Sequence, residues 1–358
     1  MMHDLEKKWL SEARQITSEI QGSLSWQSPS NIALVKYWGK HGNQLPNNPS
    51  ISFTLSESRT ETTIHYSPRE TKESISFFFE GKENSAFGQK FESFLSSIKP
   101  FFPFLDQLHL KIESSNTFPH SSGIASSASA MSALVMGILD LEKTISGQPV
   151  DFIKASWFSR LASGSASRSV YPHAALWGKT SALPESSDHY AIPLQSYLHP
   201  VFLNFRDSIL ITDSEKKAVS SRAGHALMDG NPYAPARYQT ANQNTVELLK
   251  ALQNGDLEHF IQITESEALQ LHALMMSSNP SFILMKPNSL SIISAIQHFR
   301  KNTRIPICFT LDAGPNIHLL YPENYKEKVL DFIQNELIKW CQNEYWIDDK
   351  TGHGPSPY

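Results

Sequence analysis

The period of hydrophobic and polar positions changes repeatedly along the chain, and each change marks an element. Leu5, Trp9, Leu10, Ala13, Ile16 and Ile20 recur at helical spacing, which predicts a short amphipathic helix near the N-terminus. Residues 31–38 read as a strand, and the turn-rich stretch 41–50 leads into 50–55, where apolar and polar positions alternate. Strands are expected over 60–67, 73–81 and 108–116, with a helix over 86–98. Small and apolar residues from Ile124 to about Leu141, and helical periodicity from about Val150 to Leu161, predict two helices covering that sheet. The pattern restarts near Leu198 with strand-like runs over 201–205 and 208–214, then turns mostly helical from about Ala218 to Met276. A helix over 289–301, strands over 305–312 and 316–322 and a last helix over 323–343 complete the series. The expected fold class is α+β, mixed and antiparallel sheets layered with helices.

A chain of 358 residues is long for one core and comfortable for two, since domains usually run to roughly 100–200 residues. The expected division is an N-terminal extension over 1–27, largely helical, a first domain over 28–198, a second over 199–345, and a flexible tail over 346–358, polar and rich in Gly and Pro. A formal net charge of -4 and the lack of any long Lys/Arg run argue against a nucleic-acid partner, so any bound anion is expected to be small. Cys308 and Cys341 stand in no metal-ligand spacing and read as reduced thiols. Charges interrupt the apolar residues of the first twenty positions, so no export signal is expected there, and no stretch approaches the ~20 apolar residues of a membrane span. A reduced cytoplasmic compartment and no membrane partner are the expectation.

Four segments carry chemistry. The small-residue run from Phe118 through Pro119, His120, Ser121, Ser122, Gly123, Ile124, Ala125, Ser126 and Ser127 to Ala130 joins a strand to a helix. Successive N–H groups at such a helix N-terminus suit a phosphate; close helix packing is the plain alternative. It is no Walker A motif, and Gly178-Lys179-Thr180 is none either, because His173 stands where that motif needs glycine. Lys36 and Lys40, with Tyr37, end an apolar strand; an inward Lys36 needs an anionic partner, whereas an edge strand would leave both lysines solvated. Ser163 to Ser169, a hydroxyl-rich turn containing Arg168, suits capture of a carboxylate or phosphate, or simply caps a helix. Asp312 stands where an apolar strand meets the turn Ala313-Gly314-Pro315-Asn316, fit either to tie down turn amides or to orient a proton.

Together, and in this order, the four segments resemble the diphosphomevalonate decarboxylase family, within the superfamily of small-molecule kinases for galactose, homoserine, mevalonate and phosphomevalonate. The similarity runs from about Ser28 to Leu337, and Lys36-Tyr37-Trp38-Gly39-Lys40 matches the decarboxylase signature. The resemblance implies a two-domain fold with a cleft, a homodimer, ATP and Mg²⁺, and 5-diphosphomevalonate as substrate. It implies that Asp312 orients or deprotonates the 3-hydroxyl, that Arg168 holds the substrate carboxylate and keeps Asp312 ionised, and that Lys36 neutralises charge at the transferring phosphoryl group. It assigns Tyr37, Trp38, Gly39, Lys40, Ser163, Gly164, Ser165, Ala166, Ser167, Ser221 and Arg222 to substrate binding. Pro119, His120, Ser121, Ser122, Gly123, Ala125, Ser126 and Ser127 become its ATP phosphate loop. Leu271-His272-Ala273 falls in the expected helix, and metal ligands are not implied. His41, His120, Ala162 and Ser167 depart from the family pattern, which bears on the substrate's phosphate count more than on the reaction.

Overall fold

The computed structural model describes residues 3–17, 19–71, 73–119, 124–214 and 221–358, Ser221 and Arg222 by their backbone alone. Its first half runs α1 (Asp4–Glu12), β1 (Gly22–Ala33), the hairpin β2 (Lys40–His41) and β3 (Leu45–Pro46), β4 (Ser50–Pro68), β5 (Ile75–Phe79) and β6 (Lys82–Glu83). It continues with α2 (Ser85–Ile98), β7 (Leu108–Asn116), α3 (Ser126–Ser146), α4 (Phe152–Ala162), β8 (Ala174–Trp177) and β9 (Ala191–Pro193). The second half runs β10 (Arg206–Leu210), α5 (Ser221–Ala226), α6 (Ala234–Asn254), α7 (Leu257–Met276) and α8 (Pro287–Thr303). It ends with β11 (Cys308–Thr310), β12 (Ile317–Tyr321), α9 (Lys326–Phe332), β13 (Trp346–Lys350) and β14 (Ser356–Pro357). Among the described residues no helix is long and apolar enough to cross a membrane.

Strand β4 is the spine of the larger sheet. From Ser50 to Leu55 every side chain is buried, and there β4 pairs with β8; from Ser58 to Ile64 burial alternates, as on a sheet with one face covered. The sheet order is β14-β1-β4-β7-β5-β6, with β8 added to β4 and β9 to β8, and only β5 with β7 is parallel. Helix α3 lies against β1 and β4, and its Leu134, Val135 and Ile138 share a core with Ile64 and Ile112. The smaller sheet, β11-β12-β10-β13, is antiparallel and packs Phe309, Leu319 and Ile317 against Ile292, Ile296 and Phe332. Phe53 of β4, Phe202 and Phe205 of the connection, and Phe260 of α7 join the two halves, with ring centroids 5.0 to 6.2 Å apart.

Several expectations need correction, among them the strand-like run over 201–205, where Pro200–Phe202 forms a 3₁₀ turn, and the two strands over 50–55 and 60–67, which are one strand, β4. The strand expected over 31–38 begins at Gly22 and ends at Ala33, so residues 22–27 are not a helical extension. Leu24, Trp26 and Ser28 alternate with Ser25, Gln27 and Pro29, but few of these are apolar, and the signal is weak. Helix α1 accordingly stops at Glu12, anchored by buried Trp9. The last helix, expected over 323–343, is broken after Phe332 into a π turn and 3₁₀ turns. The tail expected to be flexible is built into both sheets instead: β13 pairs with β10, Thr351 bridges to Leu55, and β14 pairs with the edge of β1. Asp349, fully buried, accepts the N–H groups of Ser56 and Glu57 on Oδ1 at 2.8 and 2.9 Å, and of Ser58 on Oδ2 at 2.8 Å.

Candidate active site

Beyond Ala33 the chain leaves the ladder, and the N–H groups of Leu34 and Val35 both reach the Ile51 carbonyl. This turn carries Lys36 into the interior, where its side chain is 1% exposed. Lys36 therefore does not sit on a solvated edge. Its Nζ donates to Asp312 Oδ1 at 2.9 Å and to the Ala33 carbonyl at 2.5 Å. Burial pulls the lysine toward loss of its proton, and the Asp312 carboxylate opposes that most strongly, with help from Glu267.

Asp312 follows β11 in a tight turn. Its main-chain carbonyl serves the fold, accepting from Gly314 N–H at 2.7 Å and from His272 Nε2 at 3.1 Å, which fixes the proton of that imidazole on Nε2. Its carboxylate faces Lys36 and keeps 27% of the side chain open to solvent. Arg168, fully enclosed, donates from Nε to Asn31 Oδ1 at 3.3 Å and from Nη1 to Ser50 Oγ. Burial pushes its guanidinium down to about 10, against the fields of Asp312 and Tyr37, so it stays a cation at neutral pH. Lys36, Arg168 and Asp312, far apart in sequence, thus act on one another electrostatically in one buried neighbourhood.

The turn 163–169 supplies shape more than free hydroxyls. It is a 3₁₀ turn, Gly164–Arg168, that follows α4. Ser167 Oγ donates to the Gly164 carbonyl at 2.8 Å, Ala166 is buried in the core, and the Ser165 carbonyl accepts from Asn31 Nδ2 at 3.2 Å. A Cβ on Gly164 would lie 2.9 Å from Tyr37 Oη, so glycine is what lets the turn touch that ring. Ser163 and Ser165 remain part exposed.

Tyr37, Trp38 and Gly39 form a wall closed by His225 of α5. The His225 ring lies 4.4 Å from that of Tyr37 and 4.6 Å from that of Trp38, and its Nδ1 accepts the Gly39 N–H at 2.9 Å. Burial, then the nearby Lys40 charge, push His225 down to about 3, so it is neutral at physiological pH and its proton is on Nε2. Gly39 adopts φ +90, and a Cβ there would sit 2.1 Å from Tyr238 Oη. Burial drives the Tyr37 hydroxyl well above the usual phenol range, so it is a neutral donor. Lys40 Nζ reaches Gln44 Oε1 at 2.7 Å across the β2–β3 hairpin.

Of the small-residue loop, His120, Ser121, Ser122 and Gly123 lie outside the described residues, as do the side chains of Ser221 and Arg222. The described end suits an anion. Ala125, at φ 43, is the N-cap of α3, no side chain among the described residues caps that helix, Ser126 is part exposed and Ser127 exposed. Pro119 precedes the loop, half-buried.

Sequence reasoning missed Glu267 and Arg237, which hold the backbone of Lys36, and gave no role to Asn31 or His225. The available signal was Glu267 itself, a carboxylate on the helix face that carries Leu271, Leu274 and Met275.

Lys36 paired with Asp312 near Arg168, together with a helix N-terminus after a small-residue loop, is an arrangement suited to phosphoryl transfer in a fold of two α+β halves. Residues 28–191 match the diphosphomevalonate decarboxylase-like N-terminal domain, and residues 208–353 the mevalonate 5-diphosphate decarboxylase C-terminal domain. Diphosphomevalonate decarboxylase of Candida albicans is 30% identical over 324 residues, 87% of either chain. The crystal structure of mevalonate diphosphate decarboxylase from Staphylococcus aureus superposes with a TM-score of 0.82 at 27% identity, over 95% of this chain and 98% of that one. A structure of MDDEF in complex with MVAPP, AMPPCP and magnesium gives 0.80 at 25% identity, over 95% and 99%. The chain belongs to the diphosphomevalonate decarboxylase family.

Proposed function

We propose that the chain catalyses ATP-dependent decarboxylation of (R)-5-diphosphomevalonate to isopentenyl diphosphate, releasing ADP, phosphate and CO₂. The observation that carries the reading is the contact of buried Lys36 Nζ with Asp312 Oδ1, near Arg168. In the first step the 3-hydroxyl oxygen attacks the γ-phosphorus of ATP, the bond from that phosphorus to the β,γ-bridging oxygen breaks and ADP leaves, while Asp312 orients the hydroxyl and takes its proton. Lys36 offsets the charge that develops on the transferring group, and its fixed position avoids reorganisation at that moment. In the second step the bond to the carboxyl carbon breaks, its electron pair forms the alkene, and the 3-phosphate leaves with the C–O electrons. No other electron sink is needed. Arg168 holds the substrate carboxylate until it departs as CO₂. Tyr37, Lys40, Ser163, Ser165 and Ser221 are assigned to the diphosphate and adjacent atoms, and the α3 N-terminus to ATP phosphates.

Mg²⁺ supplies charge neutralisation to the polyphosphate when bound. Among the described residues no group of three or more His, Cys, Asp or Glu side chains could hold a metal ion. A division near residue 198 into an ATP-binding part and a second domain, a cytoplasmic location and a homodimer belong to the same reading. One assay tests it: ADP and CO₂ are followed together with ATP, Mg²⁺ and mevalonate, its 5-phosphate or its 5-diphosphate. Equal release of both from the 5-diphosphate is the expected result. Equal release only from the 5-phosphate would make the chain a phosphomevalonate decarboxylase, and ADP without CO₂ would make it a kinase.

A further inference from the structure

Helix α7 carries Glu267, a fully buried carboxylate among Ala268, Leu271 and Met275. Its Oε2 accepts the backbone N–H of Lys36 at 2.8 Å. Arg237 of α6 grips both its oxygens, with Nη1 3.1 Å from Oε1 and Nη2 on Oε2, and Asn244 Nδ2 donates to Oε1 at 2.6 Å. The carbonyl of Lys36 is held too, by Asn48 Nδ2 at 3.0 Å and Arg237 Nη2 at 3.5 Å. An ion pair this deep carries a desolvation cost that two apolar side chains of the same volume would not, so helix packing alone does not account for it. What it does that an apolar pair cannot is grip the N–H and C=O of one residue in the other half of the molecule.

We propose that Glu267 and Arg237 are positioning residues for phosphoryl transfer: by locking the peptide groups on both sides of Lys36, they hold its Nζ against Asp312. This rests on the assignment of Lys36 and Asp312 made above. The charged groups acting at Lys36 are Asp312 after β11, Glu267 on α7, Arg168 after α4, Arg237 on α6 and Asp207 on β10. Glu267 is one of the carboxylates that favour the charged lysine. Loss of its negative charge therefore lowers the pH at which Lys36 gives up its proton, and the alkaline limb of the kcat profile moves down.

Two conservative variants separate geometry from charge. Glu267→Gln keeps an oxygen for the Lys36 N–H and removes the charge. Its kcat is expected to fall about tenfold, with KM within about twofold and the alkaline limb lower by about one pH unit. Glu267→Asp keeps the charge and withdraws it by one methylene; kcat is expected to fall by a similar factor, about tenfold, with the limb unmoved. Glu265→Gln serves as control on the same helix, since Glu265 pairs with Arg300 and does not touch Lys36; it is expected to lower stability and leave the profile alone. Wild-type kcat and pH profile in folded Glu267 variants would overturn the proposal, and if Glu267→Gln does not fold, wild-type kcat in Glu267→Asp does so alone. Asp312→Asn is measured alongside. If it turns over normally, the active-site assignment fails and the positioning role with it; if it is inactive while the Glu267 variants are normal, only the positioning role fails.

Discussion

Lys36 has almost no contact with solvent; burial disfavours its charge, and the neighbouring carboxylates favour it. Asp312 has a different balance, since part of its carboxylate stays open while its carbonyl holds the turn. That division of labour makes Asp312→Asn informative. The amide oxygen still accepts from Lys36 and the carbonyl still serves the turn, so folding and substrate binding are expected to survive. Turnover is not: kcat is expected to fall by more than about a hundredfold, with ADP and CO₂ production falling together because phosphorylation comes first. Normal turnover in a folded variant would leave Asp312 as a turn residue only. His225 bears on pH rather than chemistry. Its folded-state pKa is about 3 against an ordinary 6.5, so the unfolded chain takes up a proton between those values and the folded one does not. Stability from this group is present above about pH 6.5 and is lost progressively as pH falls toward 3. The melting temperature of wild type is expected to fall from pH 7 to pH 5, and His225→Gln to remove roughly 2 to 4 °C of that fall. An equal fall in both proteins would show that the ring is not held neutral.

At the scale of elements, sequence periodicity carried far where burial is one-sided. The strand over 108–116 and the helices near 86–98 and 289–301 lie where their patterns place them, because each shows water one face and the core another. Strand β1 was harder to read. Its Ser- and Gln-rich first half pairs fully with β4, yet offers few apolar positions, while the apolar residues Leu34 and Val35 lie beyond its end. The four chemical segments stand out because unusual residues cluster in them, and Lys36, Arg168 and Asp312, from three of them, act on one another in the fold. Glu267 was not, since one carboxylate on a long helix gives no hint that a backbone N–H from the other half awaits it. Helix α3 follows the small-residue loop, with Ser127 exposed in its first turn. A glutamate there brings negative charge to the place where ATP phosphates are assigned. Ser127→Glu is expected to weaken ATP binding by at least about tenfold, while the melting temperature stays near wild type because acids favour helix N-termini. Unchanged nucleotide affinity, read by calorimetry, would mean that the loop serves packing alone.

For the whole molecule the question is what holds Lys36, on the first half, in register with Asp312, on the second. The aromatic cluster around Phe53 and Phe260 joins the halves, and the helices α6 and α7 reach across to Lys36. A third tie is the C-terminal strap. Residues 346–350 add β13 to the smaller sheet, Gly352 N–H donates to the Thr54 carbonyl at 2.8 Å, and β14 joins the larger sheet through β1. Asp349 stands at the crossing, bonding three successive N–H groups of β4 while its own strand pairs with β10. Its composition alone implied a solvated tail, because nothing local shows that Asp349 would find donors nearly three hundred residues earlier. The two accounts forecast opposite results for Asp349→Ala. A dispensable tail would tolerate it. A buried carboxylate that leaves three N–H groups without an acceptor is expected to cost about 3 to 5 kcal/mol, seen as a lower urea midpoint. Deleting 356–358 removes only the two-residue β14 and is expected to cost far less, whereas deleting 346–358 strips an edge from one sheet and the strap from both and is expected to abolish cooperative unfolding. Because the strap ties the half bearing Lys36 to the half bearing Asp312, Asp349→Ala is further expected to lower kcat at temperatures where it is still folded. Wild-type stability and turnover in Asp349→Ala would reduce the strap to surface decoration.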